Sequence, residues 1–295
     1  MMRPRLLATA GLALCLGLTW AGRSEGQTAV PPTDPAHTPL YAGIGLSDAW
    51  WEFSLDSRIG YPEGRLRVGE NGGHATHLRL HEDLGITMSE ALEASVAFRF
   101  TQRDAVRLTG LYYFLEGNSR FLGQPVSYNG DTFGPGKVHT NADFYRLSLA
   151  YERLLASGLG MFVTGTGGLT YVHLDPELTQ RGHRNSEDFY RQELPVPILG
   201  LRIDVPLDQR FGARGYVSGG GLPRVDSLRK EGGTIYLSQI HVDGGIALTY
   251  AVTRAMLLEA GYNFTYFFQH EKSREDDNSF ELNDNGVRVR LSIAF

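Results

Sequence analysis

Hydrophobic and polar positions alternate without interruption over the last stretch of the chain. Val287, Val289, Leu291, Ile293 and Phe295 share one face, and Gly286, Arg288, Arg290, Ser292 and Ala294 share the other, because strand side chains alternate with period two. The pattern recurs upstream. Leu92 to Phe100 alternates against Glu93, Ser95, Ala97 and Arg99, and Val106 to Phe114 against Arg107, Thr109, Leu111 and Tyr113. Tyr145 to Tyr151, Leu159 to Tyr171, Leu199 to Val205, Phe211 to Val217, Ile240 to Tyr250 and Leu258 to Phe268 continue it. With the terminal segment these make about nine strands, and His74 to Leu84 supplies one more, for a count of about ten. Residues 41–73 do not divide cleanly, because Gly60, Pro62 and Gly64 interrupt the alternation, so eight or twelve strands stay open.

The connections alternate in length. Short turns follow Phe100 (Gln102-Arg103-Asp104), Tyr151 (Ala156-Ser157-Gly158), Val205 (Pro206 to Gln209) and Tyr250 (Thr253-Arg254). Long polar loops are expected over Glu116 to Asn141, His173 to Tyr190, Gly219 to Gly233 and His270 to Asp284. One wall of every strand is apolar and the other carries charges. In an outer-membrane barrel the first meets lipid and the second a wet lumen, with short turns on the periplasmic side and long loops outside. Outward aromatics gather at both strand ends. Phe98, Phe100, Tyr151, Phe211, Tyr250 and Phe295 lie by the short turns, and Tyr112, Phe114, Tyr145, Tyr171, Tyr266 and Phe268 lie by the long loops. Two bilayer interfaces select such rings, whereas the core of a soluble sandwich does not. The expected fold is an all-β, antiparallel, up-and-down transmembrane barrel.

The terminal strand, ending on an outward Phe295, resembles that of bacterial outer-membrane β-barrels. The resemblance implies that Phe295 is the insertion signal read by the barrel-insertion machinery. The segment from Gly72 through His81-Glu82-Asp83-Leu84-Gly85-Ile86 and the strands after it are similar to poorly characterised members of that group. This implies an outer-membrane location, with membrane lipid and lipopolysaccharide as surroundings, and no particular reaction.

The first residues read as a secretory signal, with Arg3 and Arg5 before an apolar run from Leu6 to Trp20 that is short for a membrane span. The expected division is a signal over 1–26, a periplasmic leader over 27–40 and the barrel over 41–295. Cys15, the single cysteine, leaves with the signal, so no disulfide is expected. Losing Arg3 and Arg5 takes the net charge from −5 to −7, which argues against a nucleic-acid partner. The 36 glycines suit tight strand packing and turns.

The inward faces hold Arg99, Arg107, Arg146, Glu152, Arg202, Asp204, Arg214, His241, Asp243, Glu259, Arg288 and Arg290. Charges in a confined interior must be paired or hydrated. Paired, they form a salt-bridged polar core in place of a hydrophobic one. Unpaired, Arg288, Arg290, Arg146 and Arg202 make an anion-favouring constriction. About ten strands leave a lumen closer to filled than to open, which favours pairing. The hydrolase alternative is weaker. Barrel enzymes include lipid A deacylases, phospholipases and the omptin-like proteases, which share this length and strand count. Yet Ser238 has the wrong parity to join His241 and Asp243, and His139, His173, His183, His241 and His270 match no omptin motif. The acidic stretch Glu271 to Asp284 and the pair Glu187-Asp188 lack the spacing of a calcium loop, and Gly165-Thr166-Gly167-Gly168 precedes no helix. No cofactor, metal or catalytic residue is expected. The roles left by this pattern are envelope structure, surface interaction or slow passage of small solutes, with the external ligand open.

Overall fold

The computed structural model describes residues 49–70, 72, 75–121, 125–158, 160–186, 195–226, 236–253, 255–274 and 276–295. The expected signal and leader, Cys15 and the pair Glu187-Asp188 lie outside these residues. Ten long antiparallel strands form the barrel: β1 (Trp51–Arg67), β2 (Ser89–Arg99), β3 (Asp104–Phe114), β4 (Phe144–Gly158), β5 (Met161–Leu174), β6 (Val196–Pro206), β7 (Phe211–Asp226), β8 (Tyr236–Thr253), β9 (Met256–Lys272) and β10 (Asp277–Ala294). Each pairs with its neighbours in sequence, and β10 returns to β1 from Glu52↔Ala294 to Arg67↔Ser279. Closure leaves no free sheet edge.

The barrel's outside is apolar on every wall. Phe53, Leu92, Leu108, Leu149, Leu201, Ile203, Leu248 and Val289 are all exposed, with Leu199 at 74% and Ile246 at 68%. A continuous belt of this kind is not tolerated in water, and only a closed barrel or a helix satisfies its backbone in hydrocarbon. The fold is a transmembrane barrel. Neighbouring aromatics pair at both rims: Trp51 with Phe98 and Phe211 with Tyr250 by the short turns, Tyr112 with Phe114 and Tyr145 with Tyr171 by the long loops.

Several expectations require correction. The tenth strand is β1, not His74 to Leu84. Within that segment only Leu78–Arg79 adds to the outer end of β1, and Leu78, Leu80, Leu84 and Ile86 are buried under the loops rather than turned to lipid. The expected loop from Gly219 is strand as far as Asp226. Its glycines are there for close approach, since a Cβ on Gly220 would sit 1.9 Å from the Pro197 carbonyl oxygen. The expected loop from His270 to Asp284 is a tall hairpin, with β9 running to Lys272 and β10 starting at Asp277. The loop from Glu116 folds into short strands (Glu116–Phe121, Val126–Tyr128, Asp131–Phe133, Gly136–Asn141), and that from His173 contains Glu177–Gln180 and His183–Ser186.

The loops also supply what the sequence reading left out. A hydrophobic core does exist, at the outer end. Leu66, Leu80, Leu84, Ile86, Leu115, Tyr128, Phe133, Leu174, Leu178 and Phe280 belong to one buried cluster. It forms a dome over the β10–β1–β2–β3–β4–β5 side of the barrel.

Candidate functional site

Below the dome, the lumen is built from inward positions of alternating strands. β1 contributes Glu52, Asp56 and Arg58, β2 Glu93, and β10 Arg288 and Arg290. Cross-strand register sets Asp56 opposite both Glu93 and Arg290, and Arg58 opposite Arg288. Two facing carboxylates would repel, and the arginines resolve this. Arg290 bridges Asp56 (3.2 Å) and Glu93, while Arg58 bonds Asp56 (3.1 Å) and Glu93 from the other side.

The pairs run on as one network. Arg288 joins Asp56 (2.8 Å) to Glu259 (3.4 Å). Arg214 joins Glu259 to Asp204 (2.6 Å). Arg202 continues from Asp204 (3.1 Å) to Glu152 (3.7 Å), and Arg107 from Glu152 (2.7 Å) to Glu52 (3.3 Å). Glu259 is fully buried. Guanidinium forks suit this bridging because each presents several fixed donors and no acceptor. Arg99 stands at the short-turn end beside Trp50, Glu52 and Glu152.

A second tier lies above. Arg146 donates to Asp243 (2.7 Å). Tyr113 donates to Thr265 Oγ1 (3.2 Å), and Thr265 donates to Asp243 (2.9 Å). Over these, Phe144 stacks on Tyr113 (centroids 4.7 Å apart) and on Phe267 (5.5 Å), and Phe280 packs against Phe267 (5.9 Å). His241 meets Phe267 at 4.9 Å. This aromatic layer is continuous with the dome core.

All twelve inward residues named from the sequence therefore line the lumen, though they do not act alike. Arg107, Glu152, Arg202, Asp204, Arg214, Glu259, Arg288 and Arg290 share the continuous mesh. Arg146, His241 and Asp243 belong to the upper tier. Sequence reasoning missed Glu52, Asp56 and Arg58, and it set Glu93 on the inward face of its strand without counting it among the lumen charges. The spacing Glu52, Ser54, Asp56, Arg58 carries the signal, but Gly60 and Pro62 obscured the strand. Ser238 has outward parity while His241 is buried inward, so Ser238 does not join His241 and Asp243. Phe295 points outward, and its backbone exchanges hydrogen bonds with Trp51 (3.0 Å each).

Space remains at two levels. At the short-turn end, about 10 Å³ lies between Trp50, Glu52, Arg99 and Glu152, no more than one water requires. Higher up, a cavity of about 180 Å³ runs along the wall formed by β4 to β8.

No known protein family matches the sequence, and no curated protein matches it. Similar folds occur among solved structures. The outer membrane protease OmpT of Escherichia coli is 11% identical, with a TM-score of 0.49 over 83% of this chain and 97% of that one. The translocator domain of the autotransporter NalP of Neisseria meningitidis is 13% identical, with a TM-score of 0.43 over 85% and 91%. The outer membrane protein OprG of Pseudomonas aeruginosa is 9% identical, with a TM-score of 0.39 over 85% and 99%.

Proposed function

We propose that this chain is a bacterial outer-membrane barrel with a blocked lumen, serving envelope structure and surface interaction through its loop dome rather than bulk solute passage. Its surroundings are membrane lipid and lipopolysaccharide, and Phe295 serves the insertion machinery. One observation carries the reading. Among the described residues, aromatic rings under the dome and the bridged guanidinium–carboxylate mesh cross the lumen, and the cavity beside the mesh gives way at the short-turn end to room for about one water. An ion would have to break several buried pairs to pass.

Planar-bilayer recording tests this. The purified protein is expected to give no stable conductance steps in molar salt at moderate voltage. Reproducible, anion-selective steps that respond to Arg202→Gln would restore the channel reading.

A further inference from the structure

We propose that the wide side of the lumen is a dead-end binding site for a small soluble oxyanion of the phosphate type, entered from the long-loop end. This goes beyond the barrier reading and does not depend on it.

The cavity exists because the barrel's inward side chains are unevenly distributed. Opposite the crowded wall of β1, β2 and β10, the inward positions of β4 to β7 are small: Ser148, Ala150, Thr166, Thr170, Gly200 and Ser218. On the measure by which about 10 Å³ holds one water, the resulting 180 Å³ holds on the order of a dozen. That accommodates a phosphate with attached atoms. Thr170, Ile198, Gly219 and His241 carry the cavity toward the long-loop ends of their strands, while the buried Leu154 and Phe162 pack together near the short turn between β4 and β5.

The lining is cationic. Seven arginines face the space against three carboxylates, Glu93, Glu152 and Asp243. The buried Glu52, Asp56, Asp204 and Glu259 bond these guanidiniums from outside the lining, so charges balance in the network as a whole while the groups facing the space are mostly cationic. Two buried nitrogens are also without partners. His241 is 2% exposed, and its Nε2 has no hydrogen-bond partner. Arg288 is 3% exposed, and its Nε has none either. Buried polar atoms are almost always satisfied, and each one left over calls for a ligand or an ordered water. Guanidinium N–H groups lining one space, with an imidazole nitrogen that is a further donor in one tautomer, favour an anion that accepts several charge-assisted bonds. Arg146, held to Asp243 through Nη1, presents its remaining donors to the same cavity.

The test is calorimetric titration of the full chain, folded in detergent, with inorganic phosphate, chloride being exchanged to hold ionic strength constant. One saturable site is expected. Arg146→Gln should weaken it by about tenfold or more. Ser218→Leu, which fills the cavity and breaks no ion pair, should abolish it. Arg153→Gln, on the exposed face near a short turn, should leave it unchanged. Each variant is first shown to be folded by its gel shift on heating. Absence of saturable binding to the native chain would overturn the proposal, and so would binding that survives Ser218→Leu. Neither result bears on the conductance measurement, so the two readings fail separately.

Discussion

Arg214 shows how a buried charge is made tolerable. Its guanidinium joins Asp204 and Glu259, and all three side chains are at most 5% exposed. Removing the arginine leaves two buried carboxylates without their shared partner, and breaking such a pair costs about 3–5 kcal/mol. Arg214→Met should therefore lower stability by about that amount in a urea titration of the barrel in lipid vesicles. Adding Glu259→Gln should return part of the loss, because one of the stranded charges disappears. Equal losses in the single and double variants would mean that the mesh is hydrated rather than mutually supporting. The partners of Arg214 were legible from parity alone, since period-two alternation puts Asp204 and Glu259 on inward faces. The bridging order was not, because it depends on which strands meet around the closed sheet. Tyr113 and Phe144 were placed inward by the same parity. Their role in an aromatic layer was hidden, because nothing along the chain indicates that a dome sits above them.

At the scale of elements, the difficult segments were those projecting beyond the bilayer. A transmembrane strand needs about 9–11 residues, while β8 and β10 each have 18. In the outer half of β10 the outward positions are Ser279, Glu281 and Asn283, and the inward ones include Phe280 and Leu282. Outside the membrane the wet face is the outer one, so the polarity pattern inverts and reads as loop. The loop strands hold together by similar local chemistry. Asp131 accepts hydrogen bonds from His183 (2.9 Å) and Asn185, tying the Asp131–Phe133 strand to His183–Ser186. Those bonds, the one from His183 foremost, hold the Asp131 carboxyl below its ordinary pKa. A depressed carboxylate contributes its stabilisation above the unfolded pKa and loses it as pH falls through the folded value. The clasp should thus persist through mild acid and open only below about pH 3.9, the ordinary aspartate range. Amide hydrogen exchange across 183–186 should rise at that point in the native protein relative to its intrinsic rate. Asp131→Asn should raise exchange at neutral pH and remove the acid step. An acid step unchanged in Asp131→Asn would assign it to another group.

For the molecule as a whole, the ordering of solvents around the sheet makes the sharpest demand. A barrel in lipid has an outer surface whose tolerance of charge depends on depth, whereas a soluble protein has no such axis. A lipid-facing arginine costs about 2–4 kcal/mol at the bilayer midplane and about 0–1 near an interface. Leu201 lies mid-strand on β6, exposed and flanked across the sheet by Gly165 and Val217. Glu281 lies on the outward face of β10 beyond the hydrophobic run. Leu201→Arg should then cost about 2–4 kcal/mol in vesicles, and Glu281→Arg close to nothing. Ile203→Arg, two residues nearer the short turn at Pro206, should fall between them. The direction of this gradient separates the barrel from any water-soluble alternative. On a surface facing water, Leu201→Arg exchanges an exposed leucine for a solvated charge, and stability should stay level or improve. A flat profile over the three positions would remove the membrane from the account, and with it the reason for gathering these arginines and carboxylates inside a closed sheet.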